Sequence, residues 1–99
     1  ITSVKRLSTD LRTHFSLDQN YPNPFNPATT ISFNLPSESI VSLKVFDALG
    51  REVSSLISEE LPAGSYSQHW NAEGLPSGVY YCRLQAGSFS ETKKLILIR

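Results

Sequence analysis

An all-β antiparallel sandwich is the fold class that this sequence predicts, and three observations predict it. Apolar and polar residues alternate with period two in windows such as Thr30-Ile-Ser-Phe-Asn-Leu35 and Val41-Ser-Leu-Lys-Val45, the pattern of a strand with one buried face. Clusters of proline, glycine, aspartate and serine punctuate the chain at a spacing of about ten residues, as in sandwiches built from short strands. No window carries a convincing helical period. About seven strands at that spacing fit an immunoglobulin-like sandwich, here without the paired cysteines of antibody domains.

Ile1 to His14 is polar, lacks alternation and carries Lys5, Arg6 and Arg12. It reads as a linker joining residues 15–99 to something larger, in keeping with a chain that starts at Ile1 and contains no methionine. A short edge strand is expected around Phe15 to Leu17. Leu17 to Pro27 then runs Leu-Asp-Gln-Asn-Tyr-Pro-Asn-Pro-Phe-Asn-Pro, with three prolines in six positions. Each proline fixes its own φ, lacks an amide donor and pushes the residue before it (Tyr21, Asn23, Asn26) out of the helical region. The segment is expected to be a stiff, extended lead-in that cannot serve as a central strand. Thr29 to Leu35 follows as a half-buried strand with Ile31, Phe33 and Leu35 inward.

Pro36 to Ser39 is a turn, and Ile40 to Phe46 is the next strand, with Val41, Leu43 and Val45 on one face. Asp47-Ala-Leu-Gly50 closes a hairpin, because aspartate at the first turn position bonds its own downstream backbone and glycine at the last accepts unusual dihedrals. Arg51 to Ser58 is its return arm, made less regular by the adjacent Leu56 and Ile57. Leu61-Pro-Ala-Gly-Ser-Tyr66 and Leu75-Pro-Ser-Gly-Val-Tyr80 repeat one pattern. Proline second and glycine fourth is the signature of a type I turn, so each copy leads into a strand of one sheet system, Tyr66 to Asn71 and Val79 to Gln85. Phe89 to Ile98 is the last strand, joined through Ala86-Gly-Ser88. Trp70 is the expected core aromatic, surrounded by Phe33, Val45, Tyr66 and Leu84.

Composition narrows the function. A chain of 99 residues suits one domain. Nine acidic and nine basic residues cancel, which leaves no electrostatic footprint for nucleic acid or an anionic membrane. The longest apolar run, Leu95 to Ile98, is far below a membrane span. Cys82, the single cysteine, shares a face with Tyr80 and Leu84 and reads as a small buried hydrophobe without a redox or zinc partner. His14 and His69 lack ligand spacing, no serine sits in a nucleophile elbow, and Glu38, Glu59 and Glu60 lie at turns where solvated carboxylates are routine. Asp18, Asn20, Asn23 and Asn26 hold one charge among four oxygen donors, too few for calcium, and read as caps for a backbone that the prolines disrupt. Tyr21, Phe25, Tyr66, Tyr80 and Tyr81 read as core or cross-strand aromatics before a sugar-stacking row.

These residues also carry a family resemblance. The block Asn20, Tyr21, Pro22, Asn23, Pro24, Phe25, Asn26, Pro27 runs on into Ala-Thr-Thr-Ile31. After it come Phe46-Asp-Ala-Leu-Gly-Arg-Glu-Val53, Leu61 to Tyr66 with Trp70 beyond it, Leu75-Pro-Ser-Gly-Val-Tyr-Tyr81 and Ser90-Glu-Thr-Lys-Lys-Leu-Ile-Leu-Ile-Arg99. In this order, over Phe15 to Arg99, they closely resemble the type A C-terminal sorting domain of cargo of the bacterial type IX (Por) secretion system. Phe46 to Leu84 is also similar to the immunoglobulin-like domain of flagellar hook-capping proteins. Cys82 departs from the family, which usually has an aromatic there.

The resemblance implies a secretion address that is neither an enzyme nor a cofactor binder. It implies partners in the outer-membrane translocon, its shuttle and its sortase-like cysteine protease, passage of an upstream cargo through the periplasm of a Gram-negative bacterium, and proteolytic removal in the linker before Phe15. The cargo would reach the cell surface or the medium. Candidate recognition residues are Lys93, Lys94, Leu95, Ile96, Leu97, Ile98 and Arg99 on the last strand, whose apolar alternation and basic flank suit a partner strand, with Gly78, Tyr80 and Arg83 on the neighbouring strand. The competing reading is a passive immunoglobulin-like accessory or carbohydrate-attachment module of an extracellular enzyme, which requires an exposed aromatic row.

Overall fold

Alternate residues of each strand turn toward one shared interior. The computed structural model describes residues 14–99, so the linker expected before Phe15 lies almost wholly outside the described residues. The strands are β1 (Ser16–Leu17), β2 (Ala28–Leu35), β3 (Ser39–Asp47), β4 (Glu52–Leu61), β5 (Gly64–Asn71), β6 (Gly78–Ala86) and β7 (Phe89–Leu97). They form two antiparallel sheets, β1-β2-β5 and β4-β3-β6-β7. This is the expected seven-stranded sandwich, with β4 paired to β3 where an immunoglobulin constant domain pairs its fourth strand with the fifth. Ile31, Phe33 and Leu35 meet Val41, Leu43, Val45, Cys82, Leu84, Leu95 and Leu97 in one core. Each such burial contributes about 1.5–3 kcal/mol.

Connections follow their local chemistry. At the β3–β4 hairpin, Asp47 Oδ1 accepts from the amides of Leu49 and Arg51, both at 2.9 Å, and Gly50 adopts φ 89°. These amide donors, the Arg51 amide foremost, and the Arg51 guanidinium hold the Asp47 carboxyl below its ordinary value. A lowered folded-state pKa gives stability that is present above the unfolded-state pKa and lost as pH falls through the folded one. Asp47→Asn should therefore lower the thermal midpoint at neutral pH and lose its effect in acid, which melts across pH will show. The irregularity of β4 consists of register shifts opposite Leu43/Lys44 and Val45/Phe46, and it leaves the adjacent Leu56 and Ile57 both half-buried against the core.

Two expectations are corrected. The paired Leu-Pro-x-Gly-x-Tyr copies open strands of opposite sheets, β5 and β6. Neither is closed by a type I backbone bond among the described residues; instead the Tyr66 hydroxyl donates to the Pro62 carbonyl at 2.5 Å and the Tyr80 hydroxyl to the Pro76 carbonyl at 2.6 Å. Gly64 and Gly78 share φ 154°, so the two copies turn alike, each with the hydroxyl-to-backbone bond known as a tyrosine corner. The ring neighbours of Trp70 also differ. The β2–β5 register sets Trp70 opposite Thr29, and the space beside that small residue is filled by Phe25, 5.6 Å away, and Tyr80, 6.1 Å away. Phe33 stacks on Tyr66 at 5.3 Å in a separate pair.

Candidate functional site

The terminal strand β7 is an edge of the four-stranded sheet, paired along its length with β6. Period-two alternation divides the residues expected to mediate recognition. Tyr80, Leu95 and Leu97 are core residues, the two leucines 0% and 1% exposed. Gly78, Lys94, Ile98 and Arg99 are exposed, and Arg83, Lys93 and Ile96 are half-buried. Gly78 stands opposite Leu97, Tyr80 opposite Leu95, and Arg83 opposite Thr92. Arg83 lies over the Phe46 ring at 4.6 Å, Lys93 pairs with Glu91 at 3.4 Å, and Arg99 donates from its amide to Ser77 Oγ and from its guanidinium to the Leu75 carbonyl.

The proline-rich segment is not the extended lead-in expected from its prolines. It forms the loop between β1 and β2, held by reciprocal bonds between Tyr21 and Thr30, and it folds across to the other sheet. Phe25 is buried and makes a parallel bridge with Leu97, its amide donating to the Ile96 carbonyl at 2.9 Å and its carbonyl accepting from the Ile98 amide at 3.0 Å. Side-chain amides extend the contact along β7 ahead of that pair. Asn23 Oδ1 accepts from the Ile96 amide at 3.0 Å, and Gln19 Nε2 donates to the Lys94 carbonyl at 2.7 Å. Further along, the Leu17 amide donates to Glu91 Oε1 at 3.0 Å. Asn20 is buried and satisfied, donating to Thr29 Oγ1 and the Pro22 carbonyl, while Gln19 donates to its Oδ1. The sequence reading missed this closure. Its signal was Phe25, a large apolar residue among prolines and asparagines, which has to find a buried partner.

Residues weighed for other chemistry stay apart or inert. Burial pushes the Cys82 thiol up to about 12, which makes it a poor nucleophile. His14 and His69 are both exposed, and among the described residues no three metal-binding side chains gather. Of the five aromatics, Phe25 and Tyr80 are buried, Tyr66 is half-buried, and only Tyr21 and Tyr81 are exposed. They form no row. Glu38 and Glu60 do meet: their shared hydrogen bond and mutual repulsion raise the Glu60 carboxyl above its ordinary value. A raised folded-state pKa gives stability that is full below the unfolded-state pKa and lost as pH rises through the folded one. Glu60→Gln should thus raise the thermal midpoint at neutral pH and leave it nearly unchanged in acid, as melts in the two conditions will show.

The two elements that meet at β7 lie within one family match. Residues 19–98 match the model of the secretion system C-terminal sorting domain. The chain belongs to this family. A solved structure from a study of PorZ, described as an essential bacterial surface component of the type-IX secretion system of Porphyromonas gingivalis, is similar to the sorting domain at 26% identity and a TM-score of 0.59. The similarity covers 86% of this chain and 11% of that chain, so the sorting domain corresponds to a small part of the larger protein. Among curated proteins no relative matches. The sorting domain joins its proline-rich segment to its terminal strand, two stretches some seventy residues apart in sequence.

Proposed function

We propose that this domain is the export address of the protein that carries it, read by the type IX outer-membrane translocon and its shuttle, and removed by the system's sortase-like cysteine protease in the linker before Phe15. The carried protein then reaches the cell surface or the medium. The observation that supports this reading is the match to the sorting-domain family over residues 19–98, which spans both the proline-rich segment and β7. The address itself performs no catalysis. Recognition falls on the outward residues of β7 and its end, Lys94, Ile96, Ile98 and Arg99, with Arg83 and Gly78 beside them. Tyr80, Leu95 and Leu97 act by holding that strand in place.

A folded reporter with an export signal, fused ahead of all 99 residues, tests the function. It should appear at the surface or in the medium of a type IX-competent cell and stay in the periplasm of a translocon-deficient one. Retention in the competent cell would reject the address. Lys94→Glu with Ile98→Asp should cut export severalfold with an unchanged circular dichroism spectrum. Export at the unmodified level would move recognition off β7.

A further inference from the structure

The outer edge of β7 is filled by the chain's own loop, and the filling is local. Pro22, Pro24 and Pro27 cannot donate to a ladder, and of the residues between them Phe25 bonds β7 through its backbone, by one pair of bonds. Of Tyr21 to Asn26, Phe25 alone is fully buried, and Tyr21 is 81% exposed. The loop is fastened at both ends, by Asn20 and Thr29 on the Pro22 carbonyl and by the Ala72 amide on the Pro27 carbonyl at 2.9 Å. An opening between these fastenings would be confined to Asn23 to Asn26 and leave both sheets intact, a sub-global event that costs less than unfolding. It would uncover three backbone groups on one edge, the Ile96 amide and carbonyl and the Ile98 amide, and a seat for one ring between Trp70 and Leu97.

We propose that the outer edge of β7 is a strand-acceptor site which this chain fills with its own Asn23 to Asn26 loop. The partner that takes its place is an extended peptide segment running parallel to β7 with a large apolar side chain in the seat of Phe25. The loop supplies the template for that chemistry: a parallel direction, an amide and a carbonyl at the Phe25 position, and a ring against Trp70. Strand addition of this kind takes affinity from main-chain bonds and specificity from the side-chain seat. The existence of the acceptor edge rests on geometry alone; its use in export rests on the sorting function proposed above.

Amide hydrogen exchange of the whole chain tests the edge. Asn23→Ala and Phe25→Ala should speed exchange at Ile96 and Ile98 roughly tenfold or more while Leu43 and Leu84, in the sheet centre, keep their rates. A synthetic peptide of residues 19–29 should restore protection in Phe25→Ala, and the same peptide with alanine in place of its phenylalanine should not. Unchanged rates at Ile96 and Ile98, or equal effects of the two peptides, would overturn the acceptor site. Should Phe25→Ala fail to fold, Asn23→Ala, which removes one acceptor only, carries the exchange test.

Locking the loop tests its use. In the reporter fusion, Asn23→Cys with Ile96→Cys joins loop to edge by a disulfide, and the same double variant kept reduced is the comparison, because both forms carry the loss of the Ile96 side chain. The disulfide form should be exported severalfold less than the reduced form. Equal export of the two forms would show that the loop is not displaced and would overturn the role. If the unmodified fusion is not exported, it is the sorting function that fails, and the exchange experiment still decides the acceptor edge.

Discussion

Replacing Trp70 by alanine should cost about 3–5 kcal/mol, the range for deleting a buried aromatic. The indole is 4% exposed and wedged between Phe25 and Tyr80, so its removal leaves a cavity at the point where the proline-rich loop, β5 and β6 meet. A domain of this size has about 5–15 kcal/mol in total. Between about a fifth and all of it would be lost. Denaturant melts of the two proteins check this, and a loss below about 1 kcal/mol would contradict the close packing of the ring.

Deleting Lys94 to Arg99 should unfold the domain instead of leaving a sandwich that lacks only the end of its last strand. Leu95 and Leu97 are fully buried, and each is worth about 2–5 kcal/mol when truncated to alanine. The deletion also removes Ile96 and Ile98, the partners of Asn23 and Phe25, so the loop loses its anchorage together with the strand. The near-ultraviolet spectrum and a denaturant melt of the shortened protein should show no cooperative transition. A folded product would mean that β3, β4 and β6 hold the sheet without the second half of β7. Loss of export on such a deletion would therefore report the fold, which is why outward substitutions at Lys94 and Ile98 are the sharper probe of recognition.

What could be read from the sequence was what burial imposes on neighbours two apart. Ile31, Phe33 and Leu35, Val41, Leu43 and Val45, and Cys82 with Leu84 all face the core as their alternation requires, and each strand appears within a few residues of its expected bounds. Local pattern does not name a strand's partner. Hence β5 and β6, which begin with the same motif, could not be assigned to opposite sheets, and the neighbours of Trp70 depended on a β2–β5 register that only the assembled sheet defines. Proline chemistry misled most directly at the site itself. It correctly forbids a continuous ladder from Pro22 to Pro27, but Asn23 and Gln19 bond β7 through their side chains, and Phe25 bonds it through its backbone amide and carbonyl. The outward residues proposed for recognition have no comparable signature, because an exposed lysine at a strand end is also the ordinary composition of a surface.

The contacts along β7 have an order with a mechanical consequence. Leu17 meets Glu91, Gln19 meets Lys94, Asn23 meets Ile96 and Phe25 meets Leu97, so the first stretch of the domain and its last strand advance in the same direction side by side. The chain accordingly enters beside the start of β7 and leaves past its far end. Tension between a load pulling before β1 and a grip on Arg99 would slide these two stretches past each other, straining all the cross-links at once, where a hairpin pulled from one end would part them singly. Loaded in that way, the domain would act as a lap joint.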